Sequence, residues 1–187
     1  MANKLGLNAK IARTPTWNPV GTMIEDTWIE PVEMASKDRL LLPIEARKCL
    51  RWPVAEGYFS LLATLGPEGG VELIPWFPLG REALRRVEEA LASEPEESRH
   101  EIAVAAMDRY YRVALAPDGR LRLPRALVAH LGANEGQFVR VVATRGKLVL
   151  WPERLWVEAR QSRFRRLDRQ LSVKRPVYDA DATRTAA

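Results

Sequence analysis

Residues 120–124 read Arg-Leu-Arg-Leu-Pro, and residues 39–43 read Arg-Leu-Leu-Leu-Pro. Each stretch precedes a short run with helical spacing, a Glu-Gly pair and an apolar segment, and each copy closes on a tryptophan, Trp76 or Trp151. A repeat of this length indicates two similar supersecondary units in one chain. The predicted fold therefore rests on this repeat.

The second copy carries the clearer local signals. In Arg120–Leu123 leucines alternate with arginines, so the leucines occupy one face of a predicted strand and the arginines the other. Pro117-Asp118-Gly119 is a strong turn signal, which makes the strands on its two sides a β-hairpin. Pro124 suits the first turn of a helix, predicted over residues 125–131, and Gly132 suits its C-terminal cap.

The same signals recur in the first copy, where the helix is predicted over Ile44–Leu50. In the second copy, strands over residues 137–144 and 147–151 form a further hairpin. Each unit is therefore predicted as a hairpin, a short helix and a second hairpin. Residues 28–34 are an additional strand candidate, and Pro31 would restrict that strand to the edge of a sheet.

The remaining sequence divides around the two repeats. An amphipathic helix is predicted over Leu79–Ser93, followed by an acidic loop at Glu94–Glu97, and a helix is predicted over residues 153–170. The predicted organisation is an N-terminal arm (1–27), a first repeat (28–78), a linker helix with its acidic loop (79–101), a second repeat (102–157) and a basic C-terminal extension (158–187).

Positive charge is concentrated near the C-terminus. The net charge of the chain is +5, and eight basic residues stand against two acidic ones between Arg154 and Arg175. This local charge of +6 leaves −1 for the rest of the chain. Such a segment can bind nucleic acid or an acidic protein, and a solvated helix has the same pattern.

Several protein classes have no support in the sequence. The first 17 residues lack the apolar stretch of a signal peptide and no apolar run could span a bilayer, so a cytoplasmic protein without a membrane partner is predicted. The one cysteine, Cys49, excludes an internal disulfide and a Cys-rich zinc site. His100 and His130 are too few for a metal site, and no catalytic motif is present. The sequence therefore predicts no enzyme, no metal and no cofactor.

The second copy resembles the SpoVT/AbrB family of DNA-binding domains in three motifs, Asp118–Pro124, Leu131-Gly132 and Glu135-Gly136. Two such units, joined by an amphipathic helix and closing on Trp151 and Trp156, look like the MraZ transcriptional regulators. The resemblance covers roughly residues 28–160. It implies a mainly β fold with short helices, in which two AbrB-like swapped-hairpin repeats close a small barrel.

The resemblance also implies a function. A sequence-specific, repressor-like transcriptional regulator is expected, acting as a homo-oligomer on repeated promoter elements of double-stranded DNA in the nucleoid. The DNA-contacting arginines of the family carry over to Arg39, Arg120 and Arg47. Arg122 and Arg125 join them because they flank the same hairpin-to-helix corner, and arginine makes charge-assisted and bidentate hydrogen bonds to phosphates and base edges.

Two departures from the family pattern affect the hairpin turns. Asp38 stands where the family has glycine, and because aspartate accepts a left-handed backbone better than most residues, the turn is expected to survive. The acidic residue that the family places four positions before its arginine is Ala35 in the first copy and Ala116 in the second. Asp118 is expected to orient Arg120 in its place.

The two copies are unequal, and other functions stay open. Leu41 and Ile44 replace Arg122 and Arg125 in the first copy, so the second copy is predicted to dominate DNA binding. Exposed strand arginines also keep a sheet edge soluble without any ligand. The alternative function is an antitoxin-like protein-interaction module, which would hold a protein partner through its basic C-terminal segment. A scaffold with non-specific DNA contact is a third reading.

Overall fold

A computed structural model describes residues 27–53 and 57–173. The expectations for the N-terminal arm, for Glu56 and for the tail beyond residue 173 lie outside these residues. Eight strands are present in the described ranges: β1 Thr27–Ala35, β2 Arg39–Leu41, β3 Phe59–Leu65, β4 Val71–Pro75, β5 Tyr110–Leu115, β6 Arg120–Arg122, β7 Phe138–Thr144 and β8 Lys147–Pro152. Six α-helices accompany them: α1 Ile44–Leu50, α2 Arg81–Ser93, α3 Glu96–Arg109, α4 Arg125–Leu131, α5 Glu153–Glu158 and α6 Arg160–Val173.

The eight strands close into one antiparallel barrel in the order β1-β2-β6-β5-β3-β4-β8-β7. Strand β1 pairs with β7, and β3 pairs with β5, so strands from one half of the chain are bonded to strands from the other half. Exchanging β1–β4 for β5–β8 reproduces the same ring. The predicted small barrel is confirmed, within a fold that mixes strands and helices.

The barrel interior is filled by alternate residues of the strands. Leu40 of β2 lies opposite Leu121 of β6, and both are completely buried. Helices α1 and α4 add Leu50 and Leu127 to the same core. Burying one such leucine side chain contributes about 1.5–3 kcal/mol, and no polar or charged residue is buried in the part of the chain that the structure describes. The outward positions of β2 and β6 are therefore available for polar side chains.

Two reciprocal backbone hydrogen bonds join the halves where each hairpin meets its helix. The Leu42 N–H donates to the Gly119 carbonyl at 2.9 Å, and the Leu123 N–H donates to the Asp38 carbonyl at 2.9 Å. Asp38 has φ 57° and Gly119 has φ 92°, so both turns use left-handed backbone. The expectation that Asp38 preserves the turn is confirmed, because the backbone there adopts the conformation that glycine has in the other half.

Pro31 lies inside a barrel strand, so the expectation of an edge strand is wrong as stated. It pairs with Arg140 of β7 within a closed barrel. On the other side of β1, strand β2 pairs only with Met34 and Ala35. The proline therefore stands in a stretch with one neighbouring strand, where a missing N–H is tolerated.

The segment between β4 and β5 and the segment after β8 each contain one α-helix more than predicted. The acidic loop is limited to Glu94 and Pro95, and α3 follows it directly. Pro95 and the acidic first turn of α3 are ordinary start signals, but this helix buries no residue and so has no apolar face toward the core. The helix predicted over residues 153–170 is divided at Ala159 into α5 and α6. None of the helices within residues 27–53 and 57–173 is long and apolar enough to cross a membrane.

Candidate nucleic-acid interface

Three of the predicted DNA-contacting arginines meet on the outward face of two neighbouring strands. Arg39 of β2 lies opposite Arg122 of β6, and Leu41 lies opposite Arg120. We call this outward face, made of these four residues, the β2–β6 surface. Because the leucines between them are buried and side chains alternate along a strand, the arginines point away from the core. Paired strands lie about 4.8 Å apart, so cations from both halves of the chain share one small patch.

Asp118 orients Arg120 as the sequence led us to expect. Its Oδ2 lies 2.8 Å from Arg120 Nε, and its Oδ1 accepts a 3.1 Å hydrogen bond from the Arg120 backbone N–H. The Arg120 side chain stays 59% exposed. An exposed ion pair of this kind adds at most about 1 kcal/mol to stability. Its main consequence is a guanidinium group whose direction is fixed while its terminal nitrogens remain accessible.

Arg39 occupies the matching position in the first half but is held differently. Its Nε donates to the Ser36 carbonyl at 3.0 Å, and the side chain is only half-exposed. The exposed Lys37 lies in the same turn, in left-handed backbone with φ 62°. Lys37 is a cation that the sequence reasoning missed, although it stands at the position that Asp118 holds in the second copy. At this position the first turn therefore carries a positive charge and the second a negative one, and Asp38 beside Lys37 leaves the first turn without net charge.

Arg122 and Arg125 are the unengaged cations of the site. Arg122 is exposed at the end of β6, and Arg125 is exposed as the first residue of α4. Neither side chain makes a hydrogen bond or an ion pair with any residue in the described part of the chain. Their guanidinium groups are free to bind an anion.

Arg47 lies apart from the other four, in a contact between the two halves. Its Nη1 donates to the Pro117 carbonyl at 3.1 Å, while its Nε is buried without a hydrogen-bond partner among the described residues. A Cβ added at Gly119 would lie 3.0 Å from this Nε. Arg47 therefore supports the turn that carries Asp118, and it is not part of the β2–β6 surface.

Two tryptophans are covered by arginine side chains. Arg112 lies over the Trp76 ring at 4.5 Å from its centroid, and Arg163 lies over the Trp156 ring at 3.8 Å. Such stacked cations contribute about 0.5–1 kcal/mol at exposed sites. The first stack joins the segment after β4 to strand β5, and the second joins α5 to α6. No cluster of three or more metal-ligating side chains occurs within residues 27–53 and 57–173.

The geometry thus offers a cationic β2–β6 surface with two held arginines, Arg39 and Arg120, and the unengaged Arg122, while Arg125 and Lys37 stand a few residues from it in the chain. In comparisons with known proteins, no family model matches this chain, and no curated protein shows significant similarity to it.

Proposed function

We propose that this protein is a sequence-specific DNA-binding transcriptional regulator, repressor-like, that acts as a homo-oligomer on repeated promoter elements. The observation that carries the proposal is the meeting of Arg39, Arg120 and Arg122 on the β2–β6 surface. Like charges directly opposite one another on paired strands disfavour folding. Their concentration on one exposed face is therefore suited to a polyanion that neutralises them.

The strand order supports a swapped-hairpin architecture of the SpoVT/AbrB type. Each half of the chain is a hairpin, a helix and a hairpin, and the halves are bonded to each other through β1 with β7 and β3 with β5. We also propose that the protein is a member of the MraZ regulators and that it acts at the nucleoid in the cytoplasm. The support for both is the doubled motif together with this pairing.

The arginines contact different parts of the DNA. Arg122 and Arg125, which are exposed and unengaged, contact phosphates and set the position of the duplex. Arg120, held in direction by Asp118, reads a base edge in the major groove, where a bidentate arginine–guanine pair discriminates by about 1–3 kcal/mol. Arg39 offers its terminal nitrogens to a phosphate, since its Nε is engaged with Ser36. Arg47 positions the turn that carries Asp118.

The second half of the chain contributes more of the binding free energy than the first. Arg120 and Arg122 are exposed, whereas Arg39 is half-buried. We expect Arg120→Ala to weaken DNA binding more than Arg39→Ala does. A far larger loss for Arg39→Ala would reverse this ranking. Because each chain makes few contacts, an oligomer that spans repeated sites gains affinity through effective concentration.

The test is fluorescence anisotropy at near-physiological salt. The DNA upstream of this protein's own gene is compared with a scrambled duplex of equal length, using the wild type, Arg120→Ala and the control Arg145→Ala. Arg145 is an exposed cation in the turn between β7 and β8. Tight binding to the upstream DNA alone, lost in Arg120→Ala and kept in Arg145→Ala, supports the proposal.

Other outcomes of this titration count against the proposal. Equal, salt-sensitive binding to both duplexes reduces the protein to a non-specific DNA scaffold. Equal losses in both variants show that total charge, and not the β2–β6 surface, carries the affinity. If no duplex binds, including a library of genomic fragments, the protein-interaction module becomes the better function.

A further inference from the structure

Two of the six helices have little packed against them. Helices α3 and α6 have 14 residues each, and none of their described side chains is buried. Helix α3 meets mainly α2 and β5, and α6 meets mainly α5. Helices of about this length are marginally stable alone in water, and most of their stability in proteins comes from packing. A surface that covered them would stabilise both.

Helix α6 presents a cationic surface with an apolar stripe. Phe164, Leu167 and Leu171 are 52%, 51% and 56% exposed, and their spacing places them on one face. Five arginines against one aspartate give the helix a charge of +4. Its first turn is fixed, because Arg163 donates to the Trp156 carbonyl at 2.5 Å and stacks on the Trp156 ring. The apolar stripe of α6 is therefore exposed to solvent on a helix whose start is fixed.

Helix α3 presents the complementary surface. Val104 and Met107 are 51% and 77% exposed and lie one turn apart on the same side. Glu97 and Glu101 precede Val104 by seven and three residues, so they continue the same face of the helix toward its N-terminus. Four acidic and two basic residues give α3 a charge of −2.

We infer that α6 of one copy packs against α3 of a second copy of this chain. The apolar stripes cover each other, and the +4 helix meets the −2 helix. Two α6 helices facing each other would instead bring two charges of +4 together, which disfavours a symmetric α6 pair. The contact is isologous where two chains exchange α6 and α3 reciprocally, and heterologous where each chain uses α6 toward one neighbour and α3 toward another. The inference rests on the homo-oligomeric part of the proposed function.

Charge reversal on each helix tests the contact in the full-length protein. Arg160→Glu with Arg165→Glu takes α6 from +4 to neutral, and Glu97→Arg with Glu101→Arg takes α3 from −2 to +2. All four side chains are exposed, so the barrel is left intact. The control, Lys48→Glu with Arg145→Glu, makes the same change of net charge as the α6 variant at exposed positions elsewhere.

Sedimentation velocity gives the mass of each assembly against the chain mass of 21.2 kDa. We expect multiples of this mass for the wild type and the control, and a shift toward the single chain for each reversed protein. In an equimolar mixture of the two proteins, the +4 α6 of the α3 variant can still meet the −2 α3 of the α6 variant, whereas the neutral α6 has no attraction for the +2 α3. The mixture should therefore regain pairs of chains, and not the full wild-type assembly.

Three results would overturn the contact. The contact does not form if the wild-type protein sediments with the mass of one chain. It also does not form if the substituted proteins keep the wild-type assembly mass. Stronger assembly of the neutral-α6 protein would show that α6 helices pair with each other.

Anisotropy with a duplex carrying one site, run on the same proteins, separates this inference from the proposed function. If the substitutions leave the assembly mass unchanged and the proteins still bind DNA, the proposed regulator stands and the α6–α3 contact is wrong. If the assembly mass changes with the substitutions as expected but no duplex binds, the α6–α3 contact stands and the proposed regulatory function is wrong. If the α6 reversal abolishes single-site binding at unchanged mass, α6 is a DNA-contacting helix and the contact is wrong.

Discussion

Arg39 and Arg122 lie directly opposite one another on paired antiparallel strands, although 83 residues separate them in the chain. The leucines beside them, Leu40 and Leu121, face each other inside the barrel. Burial of the leucines therefore fixes the register that places the two cations together. An oppositely charged ligand would relieve a repulsion that the fold itself creates.

Removal of one charge from this pair should raise stability while weakening DNA binding. For Arg122→Gln, which keeps a polar side chain, we expect the free energy of unfolding in urea to rise by about 0.2–0.5 kcal/mol. The slope of log affinity against log salt should become shallower by about one. Arg145→Gln is the matched control and should change neither quantity. A fall in stability for Arg122→Gln would show that the pair is not repulsive.

Gly119 should be intolerant of a side chain. Its φ is 92°, and a Cβ there would lie 2.8 Å from the Leu42 carbonyl oxygen, so strain and a backbone clash combine. We expect Gly119→Ala to lower the free energy of unfolding by about 2–3 kcal/mol in urea denaturation. Gly146, with φ 78° and open space around it, is the control, and its replacement by alanine should cost roughly 1 kcal/mol. Equal losses would mean that the contact between the halves at Leu42 is unimportant.

Arg47 should prove to be a stabilising residue more than a DNA contact. Arg47→Met keeps the apolar stem of the side chain and removes the hydrogen bond to Pro117, and it also removes the buried Nε that lacks a partner among the described residues. Because these effects oppose each other, we expect a loss of about 1 kcal/mol in the free energy of unfolding.

The DNA affinity of Arg47→Met should fall by less than about threefold, against roughly tenfold or more for Arg120→Ala, whose guanidinium group is proposed to meet a base. Anisotropy titration of the two variants against one duplex measures this difference. A loss for Arg47→Met as large as that for Arg120→Ala would return Arg47 to the DNA-contacting set.

Glu82 should titrate far below an ordinary glutamate. Hydrogen bonds from Arg85, and then from Arg86, lower the pKa of Glu82 from 4.5 to about 2. Since the folded-state pKa is depressed, the stabilising contribution to α2 is complete above about pH 4.5 and is lost as the pH falls toward 2. The pair is exposed, so this contribution is small.

Carbon-detected NMR titration of the Glu82 carboxyl group measures its midpoint directly. Arg85→Ala should move the midpoint upward toward 4.5, whereas Arg109→Ala on α3 should leave it in place. A wild-type midpoint near 4.5 would show that the ion pairs do not form in solution.

Several elements of the fold could be predicted because their signals are local. Helix α4 follows from Pro124 and Gly132, and the alternation in Arg120–Leu123 predicts which side chains face outward. Helix α3 is not predicted because its apolar residues are spread around the helix and only Val104 and Met107 share a side, so its sequence lacks the broad one-sided apolar pattern that identifies α2.

The candidate site could be predicted only in part. Arg120 and Arg122 were identified as exposed residues of one strand, and their exposure is as expected. The place of Arg47 could not be predicted, because its partner Pro117 lies 70 residues away and belongs to the other half of the chain. Lys37 was overlooked because an exposed lysine in a turn has no distinctive pattern.

The two hairpin–helix–hairpin units and the faces of their strands follow from local sequence, because turns, caps and alternation depend on neighbours a few residues apart. The pairing of β2 with β6, the meeting of Arg39 with Arg122 and the support that Arg47 gives to the turn of the other half arise only in the folded barrel. These relationships depend on barrel closure. Closure is settled by how the buried leucines of both halves pack together, and no local pattern in the chain encodes that packing.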